Sequence, residues 1–120
     1  MQTPGQDRKL ILAEALERTT SVYALRKEDV MKVLGLSQAQ FKRLQHNGVD
    51  ENSKTGELVL CFLRVICSIS AMTGNNESKA RHWLTSSNKA FSGKSPMQRM
   101  MSIEGLMDVL RYCDASRIKH

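Results

Sequence analysis

Acidic side chains are missing from Ser78 through Ile103, a stretch that carries five Lys and Arg residues. Proline occurs only twice in the 120 residues, and no segment sustains the period-two alternation of a half-buried strand. A β-architecture is thereby excluded. The three cysteines, Cys61, Cys67 and Cys113, form an odd set without CxxC spacing, which excludes a disulfide framework and a zinc site. They read as small apolar residues in a reducing compartment. Long hydrophobic runs are also missing. The most apolar segment, Leu58 to Met72, is shorter than the ~20 residues a bilayer requires, and Arg64 interrupts it. The start, MQTPGQDRK, has no apolar core of the kind a signal peptide carries. These absences point to a cytoplasmic protein without a membrane segment.

Catalytic apparatus is equally sparse. His46, His82 and His120 have no carboxylate or cysteine spacing suggestive of a triad or metal site. SGKS lacks the upstream glycine and strand of a phosphate-binding loop. The chain reads as a non-enzyme that takes no cofactor.

What remains is an ordinary globular composition, 41% apolar and 25% charged, long enough to bury a core without staples. The net charge of +6 mildly favours an acidic partner such as nucleic acid. Residues 51–120 hold ten Lys and Arg against six Asp and Glu; residues 1–50 hold eight against six.

The fold class expected is all-α. A first helix spans about Arg8 to Arg18 and a second about Lys27 to Leu34, closed by Gly35. Ser37 and Gln40 form a capping box for a third, ending near residues 46–48. DENSKTGE is a polar loop before a long helix from about Thr55 to Met72, apolar nearly all round and hence central. A shorter helix carries KARHWL, with Trp83 expected to lie buried against the long helix. Ser95, Pro96 and Gln98 signal another helix start. Ser102 opens the last helix, whose apolar stripe includes Ile103, Leu106, Met107, Leu110 and Cys113 or Tyr112. The tail from Arg111 reads as terminal, cationic and largely dispensable to the core. Two subdomains are expected, residues 1–54 and 55–120, meeting at the long helix.

Lys27 to His46 fits a helix-turn-helix. Val30, Leu34, Leu36, Phe41 and Leu44 supply its apolar contact and Gly35 its turn. Met31 stands where a small residue usually lets the two helices approach. Ser37, Gln38, Ala39, Lys42, Arg43 and His46 are left outward, with side chains suited to base edges and phosphates in a major groove. The alternative is an amphipathic hairpin with a solvated basic face.

Across the acid-free stretch and the residues just after it, ARHWL, NKAFSGKSPMQRM and SIEGLMDVL follow one another over roughly 35 residues. Asn88 and Gly93 supply turn chemistry ahead of the Ser95 cap. This order resembles the toxin-binding domain of the Xre/MbcA/ParS antitoxins: an A-x-x-W-L helix, an Asn-Pro-Ala-Leu-Gly-Gly-like corner, a Pro-Leu-like helix start and a final Glu-Gly helix. The matching residues are Ala80, Trp83 and Leu84; Asn88, Ala90, Phe91 and Gly93; Pro96 and Met97; and Glu104 and Gly105. Lys89 replaces the common proline and Ser92 the first glycine. The short amino end leaves room for fewer helices before the DNA reader than the resemblance implies.

The resemblance implies an antitoxin for a RES-type toxin, an enzyme resembling ADP-ribosyl transferases that degrades NAD. It implies that the carboxyl-terminal region, Lys94 to His120, blocks the toxin's NAD pocket, while the helix-turn-helix represses the shared operon, with a homodimer expected. Phe91, Lys94, Arg111, Tyr112, Arg117 and Lys119 are the expected toxin contacts; Trp83, Leu84, Asn88, Gly93 and Pro96 are the expected framework. The competing reading is a stand-alone helix-turn-helix regulator, for which residues 79–113 would be unnecessary.

Overall fold

The computed structural model describes the backbone of residues 4–118 and the side chains of residues 7–116. Seven α-helices occur among them: α1 (Pro4–Val22), α2 (Lys27–Leu34), α3 (Gln38–Asn47), α4 (Lys54–Met72), α5 (Glu77–Thr85), α6 (Pro96–Arg99) and α7 (Ile103–Ile118). A single 3₁₀ turn, Lys89–Phe91, precedes α6. No strand occurs among the described residues. The protein is all-α, as the sequence indicates.

Local signals set most helix starts. Ser37 Oγ accepts from Gln40 N at 3.2 Å while Gln40 Oε1 accepts from Ser37 N at 2.8 Å. Ser95 and Gln98 repeat that reciprocal cap, with Pro96 at the first helical position where its missing N–H costs nothing. Gly35 closes α2 at φ +67, a conformation that glycine adopts without penalty. The first helix is longer than its apolar spacing suggests. Thr19, Thr20 and Val22 are stiff, weak helix formers, yet the buried Thr20 hydroxyl donates to Leu16 O at 2.8 Å and so stays satisfied inside the helix.

Two further starts share a geometry. Ser53 Oγ accepts from Gly56 N, and Ser102 Oγ accepts from Gly105 N, each at 3.0 Å. In both, the chain entering the helix passes directly over the glycine. A Cβ at Gly56 would overlap Asp50 O, and one at Gly105 would overlap Arg99 O. These glycines permit close approach rather than an unusual φ.

The long helix α4 carries the core. Val59, Phe62, Val65, Ile66 and Ile69 are buried on it, in one contiguous cluster with Leu16 of α1, Val30 of α2, Leu84 of α5 and Leu106, Val109 and Cys113 of α7. The most extensive helix-to-helix packing is that of α7 on α4. The halves 1–54 and 55–120 therefore share the core that α4 supplies. Seven residues of α4 are buried in the fold, and Glu57 and Arg64 are charged and exposed on it. Although long and apolar enough by composition to cross a bilayer, it is the core helix of a packed domain. It is not apolar-buried all round: Leu60, Arg64, Cys67 and Ala71 lie on an exposed stripe.

Helix α1 lies alongside α4 and parallel to it. Near its start, Lys9 O accepts from Val49 N at 3.2 Å and Arg8 pairs with Glu51 at 3.3 Å, just ahead of α4. Just past its end, Tyr23 Oη donates to Ser70 Oγ at 3.1 Å, close to the end of α4.

Candidate functional site

The acid-free stretch forms a corner between α5 and α7. Asn88 organises it. Its Oδ1 accepts from Ala90 N at 2.9 Å, its carbonyl accepts from Phe91 N and Gly93 N at 3.1 and 3.0 Å, and its N–H donates to Lys94 O at 3.1 Å. Ser87 Oγ adds a bond to Gly93 O at 2.7 Å. The chain then turns through Ser92 (φ +56) and Gly93 (φ +85) into the Ser95 cap. With Lys89 in place of proline, these hydrogen bonds close the corner.

Three aromatic rings lock this corner to α7. Trp83 stacks on Tyr112 with centroids 6.1 Å apart and planes inclined by 22°. Phe91 meets Trp83 and Tyr112 edge-on at 6.3 and 5.3 Å, separations typical of favourable aromatic pairs. Trp83 is half-buried, and its ring partners are the corner and α7. The buried side of α5 is made instead by Ala80 and Leu84. The expectation of an indole sunk against the long helix therefore needs correction: an amphipathic ring has settled at the margin, where its partners are aromatic.

The expected toxin contacts separate into classes. Phe91 is only 4% exposed and supports its neighbours from within. Lys94, Arg111 and Tyr112 reach the surface, Tyr112 at 39% exposure. The side chains of Arg117 and Lys119 lie outside the described residues. The tail is not dispensable to the core: Cys113 is fully buried and Tyr112 holds Trp83. Arg64 of α4 also pairs with Asp114 at 2.8 Å. Conversely, Ile103 is 70% exposed although its spacing assigns it to the core stripe. As the first residue of α7 it stands beyond the packed part of the helix. Lys79, Arg81, Lys89 and Lys94 are all exposed, while Arg99 meets an acid from outside the stretch, Asp108, at 3.3 Å.

The helix-turn-helix presents a second surface. Phe41 and Leu44 are buried on α3, while Ser37, Gln38, Ala39, Lys42, Arg43 and His46 are exposed together. Ser37 spends its hydroxyl on the cap, so Gln38, Lys42, Arg43 and His46 are the polar side chains left for an external partner. Met31 is half-buried at the edge of the core cluster. A shallow cleft of about 410 Å³ runs beside α3, lined by Gln40, Arg43, Asn47, Asp50 and Ser53 among others.

Among the described residues, no group of three or more His, Cys, Asp and Glu is placed to hold a metal. Burial, with the neighbouring Asp114 adding to it, pushes the Cys113 thiol up from 9.0 to about 12. It is protonated at neutral pH and unsuited to nucleophilic chemistry. The site's resources are shape, aromatic surface and cations, which suit it to recognition.

No curated protein matches the chain. Residues 70–117 match the family model described as the antitoxin Xre/MbcA/ParS C-terminal toxin-binding domain. The matched segment runs from the end of α4 through the Asn88 corner and the aromatic lock to α7. Residues 70–117 are thus similar to the toxin-binding domain of the Xre/MbcA/ParS antitoxins.

Proposed function

We propose that this chain neutralises a RES-type, NAD-degrading toxin by direct binding, without catalysis of its own, and represses the operon it shares with that toxin in the cytoplasm. The observation that carries the reading is the coincidence of the toxin-binding match with the cationic, aromatic corner and α7. Lys94, Arg111 and Tyr112 supply the surface contact, and Arg117 and Lys119 are the further toxin contacts of this reading. Guanidinium and ammonium groups suit a pocket evolved for the phosphates of a dinucleotide, or the carboxylates around it. Phe91, Trp83, Leu84, Asn88, Gly93 and Pro96 hold that surface in shape.

Repression rests on the exposed residues of α3. Gln38 and Arg43 suit adenine and guanine edges, and Lys42 suits phosphate. Such readers commonly work as two-fold dimers on paired half-sites, and a homodimer is part of this reading. A stand-alone regulator would use the same helix but would leave the exposed cationic surface of the corner and α7 without a partner.

The test is NAD hydrolysis by the RES-type toxin encoded beside this chain, titrated with the purified protein. Stoichiometric inhibition is expected. Binding to a toxin of another chemistry would retain the antitoxin and remove the RES assignment. A mobility-shift titration on the promoter DNA checks the repressor half separately.

A further inference from the structure

Two contacts fix how α7 is turned. Asp114 pairs with Arg64 of α4 along one edge of the helix, and Tyr112 stacks on Trp83 of α5 along the other. At about 100° per residue, these two positions lie roughly 160° apart round the helix. Buried Leu106, Val109 and Cys113 occupy the arc that faces the core, and the opposite arc is open. Ile103, Met107 and Arg111 succeed one another at steps of four residues. They form one ridge that starts at the Asp114 edge and runs onto the open face. Glu104 is exposed farther round that face, on the side of Asp108.

The ridge is sorted by chemistry. Ile103 is 70% exposed, the most of any large apolar side chain among the described residues. Met107, one turn on, is half-buried and rests against the core, and Arg111 beyond it is exposed. Within residues 70–117, the segment similar to a toxin-binding domain, Ile103 and Tyr112 are the large apolar side chains left exposed. Both stand on α7. Nor is Ile103 exposed through slack. Ser102 Oγ accepts from Gly105 N at 3.0 Å, and Ser102 O accepts from Leu106 N at 2.8 Å. Arg99 O lies over Gly105 with no space for a methyl group between. This pinned start holds Ile103 outward before a partner arrives, which lowers the ordering cost of binding. A first helical residue favours an acid, so an isoleucine there serves neither the helix start nor the core.

We infer that Ile103, backed by Met107, is an apolar anchor that seats in an apolar pocket on the toxin. Arg111 then reaches carboxylates about 12 Å farther along α7, eight residues at ~1.5 Å each. The inference rests on the toxin-binding reading above and adds a contact that the cations do not supply. Charges steer the encounter, whereas a desolvated anchor at the centre of the interface slows release.

The test is binding of the whole chain to the toxin encoded beside it, immobilised and titrated with purified variants. Ile103→Asp should weaken binding at least about 100-fold, Ile103→Ala about tenfold, and Ile103→Leu less than about threefold. Ile11→Asp is the control, because Ile11 is 61% exposed but lies outside the matched segment; it should bind like the wild type. The melting temperature of Ile103→Asp should equal or exceed that of the wild type, since the new acid favours the helix dipole. A wild type that does not bind this toxin would overturn the toxin-binding reading and the anchor with it. Wild-type affinity in a folded Ile103→Asp chain would overturn the anchor alone. Melting temperatures that fall along with binding in both Ile103→Ala and Ile103→Asp would make Ile103 a structural residue instead. Equal weakening by Ile11→Asp would also overturn the anchor, since loss of any exposed isoleucine would then suffice.

Discussion

Ser92 holds φ +56 in the corner without glycine's freedom to do so. The left-handed region costs an L-residue on the order of 1 kcal/mol, and Ser92 stands where the resemblance implies a glycine. Ser92→Gly should therefore stabilise the protein by about 0.5–1 kcal/mol, part of the relief being offset by the greater freedom glycine brings to the unfolded chain. Urea unfolding measures it, and a destabilised variant would show that the Ser92 side chain matters more than its backbone. Cys113 makes an opposite kind of demand. Its folded-state thiol is raised to about 12 from 9.0, so above pH 9 the unfolded chain loses a proton that the native chain keeps. Stability should be unaffected by this group below pH 9 and fall as pH rises from 9 towards 12. A Cys113→Ala variant should show a shallower alkaline decline in denaturant midpoint, whatever its loss at neutral pH. Thiol labelling of the native protein should reach the exposed Cys67 and spare Cys113 until unfolding.

Among elements, the two glycine-crossed helix starts are the most constrained. Gly105→Ala should cost about 1–3 kcal/mol as an overpacking change, since the new methyl group meets the Arg99 carbonyl rather than a flexible side chain. Gly56→Ala should behave alike against Asp50; thermal melts of both variants check the pair, and wild-type stability would refute the close approach. Such crossings were not legible in the sequence, where Gly105 shows only as part of a resemblance. Caps were legible, because Ser37 with Gln40 and Ser95 with Gln98 satisfy backbone groups within a single turn. What depended on a distant partner was not. Periodicity placed Ile103 inward, but the end of a helix can outrun the core. Tryptophan's size argued for burial of Trp83, yet a tyrosine 29 positions later supplied a partner at the margin. The candidate site followed the same division: the outward set on α3 could be read from its own spacing, whereas Phe91's burial needed α5 and α7 in place.

At the scale of the whole molecule, one shared core presents α3 through residues 38–47 and the corner with α7 through residues 88–118. Rigid packing of α7 and α2 on α4 makes these surfaces parts of one body without making them the same surface. Substitutions on either should consequently separate the two proposed activities. Arg43 is exposed and has no hydrogen-bond or ion-pair partner among the described residues. Arg43→Ala should therefore weaken binding to promoter DNA by about 1–3 kcal/mol, roughly 5- to 150-fold, and leave toxin inhibition intact. Arg111 is likewise exposed, on the helix that carries Tyr112. Arg111→Glu should raise the concentration needed to inhibit the toxin at least about tenfold, because a carboxylate would replace a cation facing anion-binding or acidic surroundings. Its thermal stability should hold, since no core contact is lost. Truncation after Leu110 is a poorer probe, as it would remove the buried Cys113 and the ring beneath Trp83. The decisive comparison is the pair of binding curves for each variant, against DNA and against toxin. If Arg43→Ala loses both activities while remaining folded, DNA and toxin compete for one surface, and repression would then respond to toxin by displacement rather than through two independent faces.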